Sequence, residues 1–306
     1  MSHFEKIDRL KKAILNDYPR LSREDTFHFA CHRHVKCFNS CCADVNIFLT
    51  PYDVLRMKNH LKISSQEFLD KYTLLPIDKN LQYPVVVFKL QEDEEKRCHF
   101  VDREKGCTIY ENRPWACRMY PLGLASPKEK SPENEQDQAA CPAKPAADEE
   151  EFFFLMREEG CLGFEENKQW TVEEWIENQG ISTFDEFGQL YKEITLHEFF
   201  RTGREITPEK MEMFFIALYN LDKFRKLLFN STFFDRFTIE EQLEKKLKVD
   251  DEELLRFGFR WLRFSLFGEK TLEIKAEGPQ NSSNQPAQAG KTTGPTKHGI
   301  PETKEK

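Results

Sequence analysis

Cys31-His32-Arg33-His34-Val35-Lys36-Cys37-Phe38-Asn39-Ser40-Cys41-Cys42 is the stretch on which the reading of this 306-residue chain turns. Four of the nine cysteines fall within these twelve residues; the others are Cys98, Cys107, Cys117, Cys141 and Cys161. Thiolate is the ligand that soft and borderline metals prefer, and cysteines at short, uneven spacings let a chain wrap one. The rest of the sequence then reads as the scaffold that gathers these groups. Neighbouring residues such as Cys41 and Cys42 tend to point apart, so binding one tetrahedral ion with both would strain the backbone. They are expected to serve neighbouring sites or to bridge a polynuclear centre. Cys31, Cys37, Cys41, Cys42, Cys98, Cys107, Cys117 and Cys161 make eight candidate metal ligands, two four-cysteine sites in number. Cys141 has no cysteine near it in a Pro-, Lys- and Glu-rich segment and reads as a spare thiol.

The bulk properties set the context. A chain of this length buries a core without disulfides. Lys plus Arg is 45 against Asp plus Glu at 53, a formal net charge of -8, which argues against a nucleic-acid partner, since such proteins carry a basic face. Met1 to Lys12 has charges every two or three residues and no apolar signal-peptide core. No stretch approaches the roughly 20 apolar residues of a membrane span. The expectation is a cytoplasmic protein, where thiols stay reduced, and an odd cysteine count fits a pure disulfide framework poorly. Metal ions are therefore the expected partners, with neither nucleic acid nor membrane.

Around the cysteines the sequence predicts an α+β fold: a small cysteine-rich core with a short hairpin, packed with a mainly helical C-terminal portion. Phe4, Ile7, Leu10 and Ile14 space an opening helix. Val45–Leu49 reads as a short strand, Thr50-Pro51 as a helix start with its cap and N1 proline, and Ser64 to Glu67 as a second cap. Pro84–Phe88 reads as a strand by β-branching. Cys98–Asp102 and Cys107–Tyr110 flank Gly106 as a hairpin that brings Cys98 near Cys107. Phe152–Leu155 reads as another strand. Thr171 to Glu174, Thr183 to Glu186 and Thr238 to Glu241 have capping spacing. Met211 to Leu228 trace one face of a long helix, and Leu254, Phe257, Trp261 and Phe264 line the last, as ordinary core packing. The expected organisation is a cysteine-cluster domain over 1–190 with a flexible insertion near 126–150, a helical portion over 191–275, and a disordered tail over 276–306.

The donor set admits zinc or an iron–sulfur cluster. Cysteine-rich zinc modules are common but favour paired C-x2-C units, which this chain lacks; iron–sulfur sites tolerate more varied spacing. Arg113 and Arg118, bracketing Cys117, read either as donors to cluster sulfur, and in that sense cofactor-binding, or as members of surface salt bridges. His28, His32, His34 and His99 are close enough in sequence to replace a thiolate, although a surface or hydrogen-bonding histidine is the commoner state. No phosphate loop, nucleophile elbow or helical His-Glu-x-x-His is present.

Several separately spaced elements together resemble the YkgJ-type cysteine-cluster family of zinc- or iron-chelating proteins. They are Cys31-x5-Cys37-x3-Cys41-Cys42, Cys98-x8-Cys107-x-Ile-Tyr-x2-Arg113-Pro114-x2-Cys117-Arg118-x-Tyr120-Pro121, and Cys161-x-Gly163 with Trp170-Thr-Val-Glu-Glu-Trp175. The resemblance covers roughly residues 25 to 190. It implies that Cys31 through Cys117, with Cys161, are the chelating set, and gives Cys141 no counterpart. Family members often carry the label iron–sulfur oxidoreductase, which implies electron transfer and a protein redox partner. A related cluster in flagellin lysine N-methylases implies a rival, an S-adenosylmethionine-dependent modifying enzyme acting on a protein. The radical S-adenosylmethionine spacing Cys-x3-Cys-x2-Cys is not present, because Cys42 follows Cys41 at once. A redox-inert zinc module that contacts another protein is the third reading.

Overall fold

The computed structural model describes residues 18–76, 82–125, 151–202 and 204–275. The expected opening helix, the whole 126–150 insertion with Cys141, and the tail lie outside the described residues.

The first half alternates short strands and helices: β1 (Thr26–His28), β2 (Phe48–Leu49), α1 (Pro51–Leu61), α2 (Ser65–Tyr72), β3 (Thr73–Leu74) and β4 (Val86–Phe88). There follow β5 (Val101–Asp102), β6 (Gly106–Cys107), α3 (Trp115–Met119), β7 (Leu122–Ala125), β8 (Phe152–Leu155) and β9 (Gln169–Thr171). The second half is helical: α4 (Val172–Asn178), α5 (Asp185–Thr195), α6 (Glu198–Arg201), α7 (Pro208–Leu218), α8 (Leu221–Phe229) and α9 (Phe233–Arg236). It closes with β10 (Phe237–Thr238), α10 (Glu241–Leu247), α11 (Asp251–Phe267) and β11 (Glu273–Ile274). The strands form small separate antiparallel sheets, β1–β9, β2–β4–β3, β5–β6, β7–β8 and β10–β11. The fold is α+β and cysteine-rich.

Local chemistry explains most starts. Thr50 accepts from the Asp53 amide at 3.2 Å while the Asp53 carboxylate accepts from the Thr50 amide at 2.8 Å, a reciprocal cap at the head of α1. Ser64 caps α2, and Thr171 with Glu174 caps α4 in the same reciprocal way. Three expectations are corrected. Thr183 caps nothing: its hydroxyl donates to the Gly180 carbonyl at 2.8 Å, and α5 begins through the turn Ile181–Phe184. The long helix over Met211–Leu228 is two helices, because Asn220 leaves helical geometry and its side chain accepts from the Lys223 amide at 3.2 Å, starting α8 afresh. Thr238 is a strand residue paired with Glu273, and α10 starts without a side-chain cap.

Two apolar clusters hold the molecule together. The larger joins α1, α2 and the β2–β4–β3 sheet to α5, α7, α8 and α11, with Phe68, Phe214, Phe224, Phe257 and Phe259 fully buried. Each such ring removed from water contributes about 1.5–3 kcal/mol. The Leu254–Phe257–Trp261–Phe264 stripe is part of this core, as its period implied. Gly258 lets α11 cross α7 closely, since a Cβ there would stand 2.4 Å from the Ala217 carbonyl oxygen. The smaller cluster gathers Phe27, Phe29, Met119, Leu122, Val172, Trp175, Ile176 and Ile181. Cys98 and Cys107 pack against the larger cluster, Cys161 against the smaller, and Trp115 touches both. Among the described residues, no helix is long and apolar enough to cross a membrane.

Candidate metal centre

The Cys31–Cys42 loop is fastened on two sides. Upstream, β1 pairs with β9, and the ladder continues as Phe29 N–H donating to the Lys168 carbonyl at 2.9 Å and Ala30 N–H to that of Gly163 at 3.0 Å. Gly163 is required there, since a Cβ would meet the Phe29 ring at 2.7 Å and the Ala30 carbonyl at 2.8 Å. This pairing brings Cys31 and Cys37 to Cys161, and the Leu162 amide donates to Cys37 Sγ at 3.2 Å. Downstream, Cys98 N–H donates to the Cys42 carbonyl at 2.8 Å, and Ala43 bridges Arg97. Asn39, buried and left-handed at φ 66°, donates from its side chain to the Asp102 carbonyl at 3.2 Å and ties the loop to the hairpin. The hairpin turn is set by the Asp102 carboxylate, which accepts from the Glu104 and Lys105 amides at 2.9 and 2.7 Å.

The eight described cysteines are all free thiols, and they sort into two groups of four neighbours. Cys31 lies within electrostatic reach of Cys41, Cys37 and Cys161. Cys42 lies within reach of Cys117 and Cys98, and Cys117 within reach of Cys98 and Cys107. The groups meet at the 3-10 turn Ser40–Cys42. Interaction between the two neighbouring thiols pulls Cys41 below the usual thiol value and pushes Cys42 above it. Burial pushes Cys31 and Cys98 up to about 11, and raises Cys107. Cys117 is partly open to solvent, yet the protein packed around it pushes its thiol up to about 12.

Among the described residues, no three Cys, His, Asp or Glu side chains converge closely enough to hold a metal ion. The sulfurs are neighbours and do not form a closed cage. Their surroundings nevertheless fit metal thiolates. The Phe100 amide donates to Cys98 Sγ at 3.4 Å, and the Ile109 amide favours the thiolate of Cys107 from the same i+2 position. Backbone amides aimed at sulfur offset the negative charge that a thiolate site accumulates.

Arg113 and Arg118 are buried, which removes the surface salt-bridge alternative. Arg113 bonds the Tyr110 carbonyl and the Gln179 side chain, while Arg118 bonds the carbonyls of Arg113, Gln179 and Glu111. They fix the backbone around α3, and their charge favours the thiolate of Cys107. His32 pairs with Glu166 at 3.4 Å and accepts from the His34 amide at 3.3 Å; His99 packs edge-on against Tyr72. Two residues escaped the sequence reading. Asp53, legible only as an acid in the first turn of α1, also accepts from the Trp115 amide at 2.7 Å and so seats the helix that carries Cys117. Tyr120, visible only as part of a motif, directs a buried hydroxyl towards Cys161 and Cys41.

Comparison with family models matches residues 30–142 to CxxCxxCC, described as a "putative zinc- or iron-chelating domain". The spacing of that title is stretched here to Cys31-x5-Cys37-x3-Cys41-Cys42, which keeps the closing pair, and the match stops short of Cys161. Neither the comparison with curated proteins nor that with solved structures returned a match. Residues 30–142 of this chain are thus similar to a zinc- or iron-chelating domain.

Proposed function

We propose that the chain holds two metal centres, one bound by Cys31, Cys37, Cys41 and Cys161 and the other by Cys42, Cys98, Cys107 and Cys117. The observation that carries this reading is the sorting of eight unbridged thiols into two groups of four, with the adjacent pair Cys41–Cys42 divided between them. Four thiolates complete a tetrahedral zinc site and equally the ligand set of an iron–sulfur cluster. The amides of Leu162, Phe100 and Ile109 would steady the bound thiolates, and Arg113 would lend positive charge beside Cys107 and Cys117.

The iron–sulfur form is the reading we place first, because the sulfurs are donated from uneven spacings and lie close to amide donors. An iron–sulfur centre supplies one-electron transfer, and the function is then electron transfer with a protein redox partner in the cytoplasm. The test is the metal and sulfide content of full-length protein purified without oxygen. Coloured protein with iron and acid-labile sulfide in near-equal amounts supports it. Colourless protein with about two zinc ions and no sulfide would replace it by a redox-inert zinc module. A metal-to-protein ratio well below one would reject both.

A further inference from the structure

Tyr120 follows directly on α3, which carries Cys117, yet its side chain reaches the other group of sulfurs. Its hydroxyl is fully buried and makes no hydrogen bond of ordinary geometry. Its polar neighbours are the thiols of Cys161 and Cys41 and the backbone of Glu158. A buried phenol without a partner is disfavoured, and native structures rarely leave one without cause. The backbone on either side is pinned: Tyr120 N–H donates to the Ala116 carbonyl, the Trp175 indole N–H to that of Met119 at 3.2 Å, and the Met156 amide to that of Pro121 at 2.8 Å. Phe29 holds the ring edge-on at 5.7 Å, and Gly163 in turn seats Phe29. The hydroxyl is therefore fixed beside sulfur before any metal arrives.

A protonated thiol is a weak acceptor, whereas a thiolate accepts strongly. Resting on the reading of Cys161 as a ligand of the first centre, we propose that Tyr120 is a positioning residue whose hydroxyl donates a hydrogen bond to the Cys161 sulfur in the metal-loaded protein. The hydroxyl, which makes no hydrogen bond of ordinary geometry among thiols, gains a strong acceptor on loading. It stabilises the negative charge gathered on that sulfur, which raises the charge-transfer energy and favours retention of the ion by the first group.

Cobalt(II) alone is the probe, added anaerobically to full-length protein, with the near-ultraviolet sulfur-to-cobalt charge-transfer band and the stoichiometry as readouts. Tyr120→Phe is expected to bind the same number of cobalt ions, with the band at lower energy and the affinity of one site about tenfold weaker. Tyr120→3-fluorotyrosine, a stronger donor of nearly the same size, is expected to move the band the opposite way, and serves alone if the phenylalanine variant fails to fold. In a Cys161→Ser background the spectral effect of Tyr120→Phe is expected to vanish. An unchanged band in both Tyr120 variants, or an effect that survives in the Cys161→Ser background, overturns the proposal while leaving the metal reading intact. Wild-type protein that binds no cobalt overturns the metal reading and this proposal with it.

Discussion

Replacing Asp53 by alanine tests whether one carboxylate organises both the head of α1 and the start of α3. Three donors converge on it: the Thr50 amide and hydroxyl, both at 2.8 Å, and the Trp115 amide at 2.7 Å. Asp53 itself is 1% exposed, so water does not replace it. A buried amide deprived of its acceptor costs about 1–3 kcal/mol, and we assign about 2 to Trp115. Loss of the cap at Thr50 costs about 1 kcal/mol more, and the amide there lies closer to solvent. Burial pushes the Asp53 carboxyl above its ordinary value, so removing the group also relieves some desolvation, about 1 kcal/mol at most. The net loss is about 2–3 kcal/mol, or about 4–12 °C of melting temperature at about 2–4 °C per kcal/mol. Asp53→Asn keeps the shape and one acceptor oxygen and should lose about half as much. The assay is reversible thermal unfolding by circular dichroism, with cobalt stoichiometry measured alongside, because a loosened α3 displaces Cys117. An alanine variant melting within about 2 °C of wild type would refute the reasoning.

Serine at Cys31 is expected to remove one centre and serine at Cys107 the other, each halving the metal content, while Cys141→Ser leaves it unchanged; equal loss from all three in elemental analysis would undo the assignment. Asp251 is half-buried, which alone would raise its pKa, yet hydrogen bonds from Lys58 and Arg225 outweigh that and hold it below the usual value. A depressed acid contributes stability that is present above its unfolded pKa and lost as pH falls through the folded one. Urea midpoints of wild type and Asp251→Asn should therefore differ most at neutral pH and converge below about pH 4; a constant gap would contradict this. Gly258→Ala forces a Cβ against the Ala217 carbonyl and should cost about 1–3 kcal/mol of stability in urea unfolding, with metal content preserved.

Much of the framework was legible because it is local. Thr50-Pro51, Ser64 and Thr171 announce helix starts through hydrogen bonds that span three residues, and the stripe on α11 announces its buried face through period alone. The readings that failed had two local solutions of similar energy. Thr183 could accept as a cap or donate to the turn behind it, and packing of Ile181 and Phe184 chose the turn. Asn220 resembles any polar residue between apolar ones until its side chain is seen to restart a helix. The eight cysteines proposed as donors were legible residue by residue, but the division proposed for them was not. That division depends on β1 meeting β9 some 140 residues later, through three paired residues that carry no strong strand signal. The second contact of Asp53 and the place of Tyr120 beside Cys161 depend on packing between segments, which no spacing encodes.

The two apolar clusters are unequal, and the sulfur groups lean on different ones. Cooperative opening tends to follow such divisions, with the smaller unit yielding first. Amides of Phe27–Ala30 and Trp170–Ile176 should then exchange with deuterated water faster than those of Phe214–Phe224, and equal protection would deny the division. On the proposed reading of two centres, the one completed by Cys161 would then loosen before the one that includes Cys98 and Cys107.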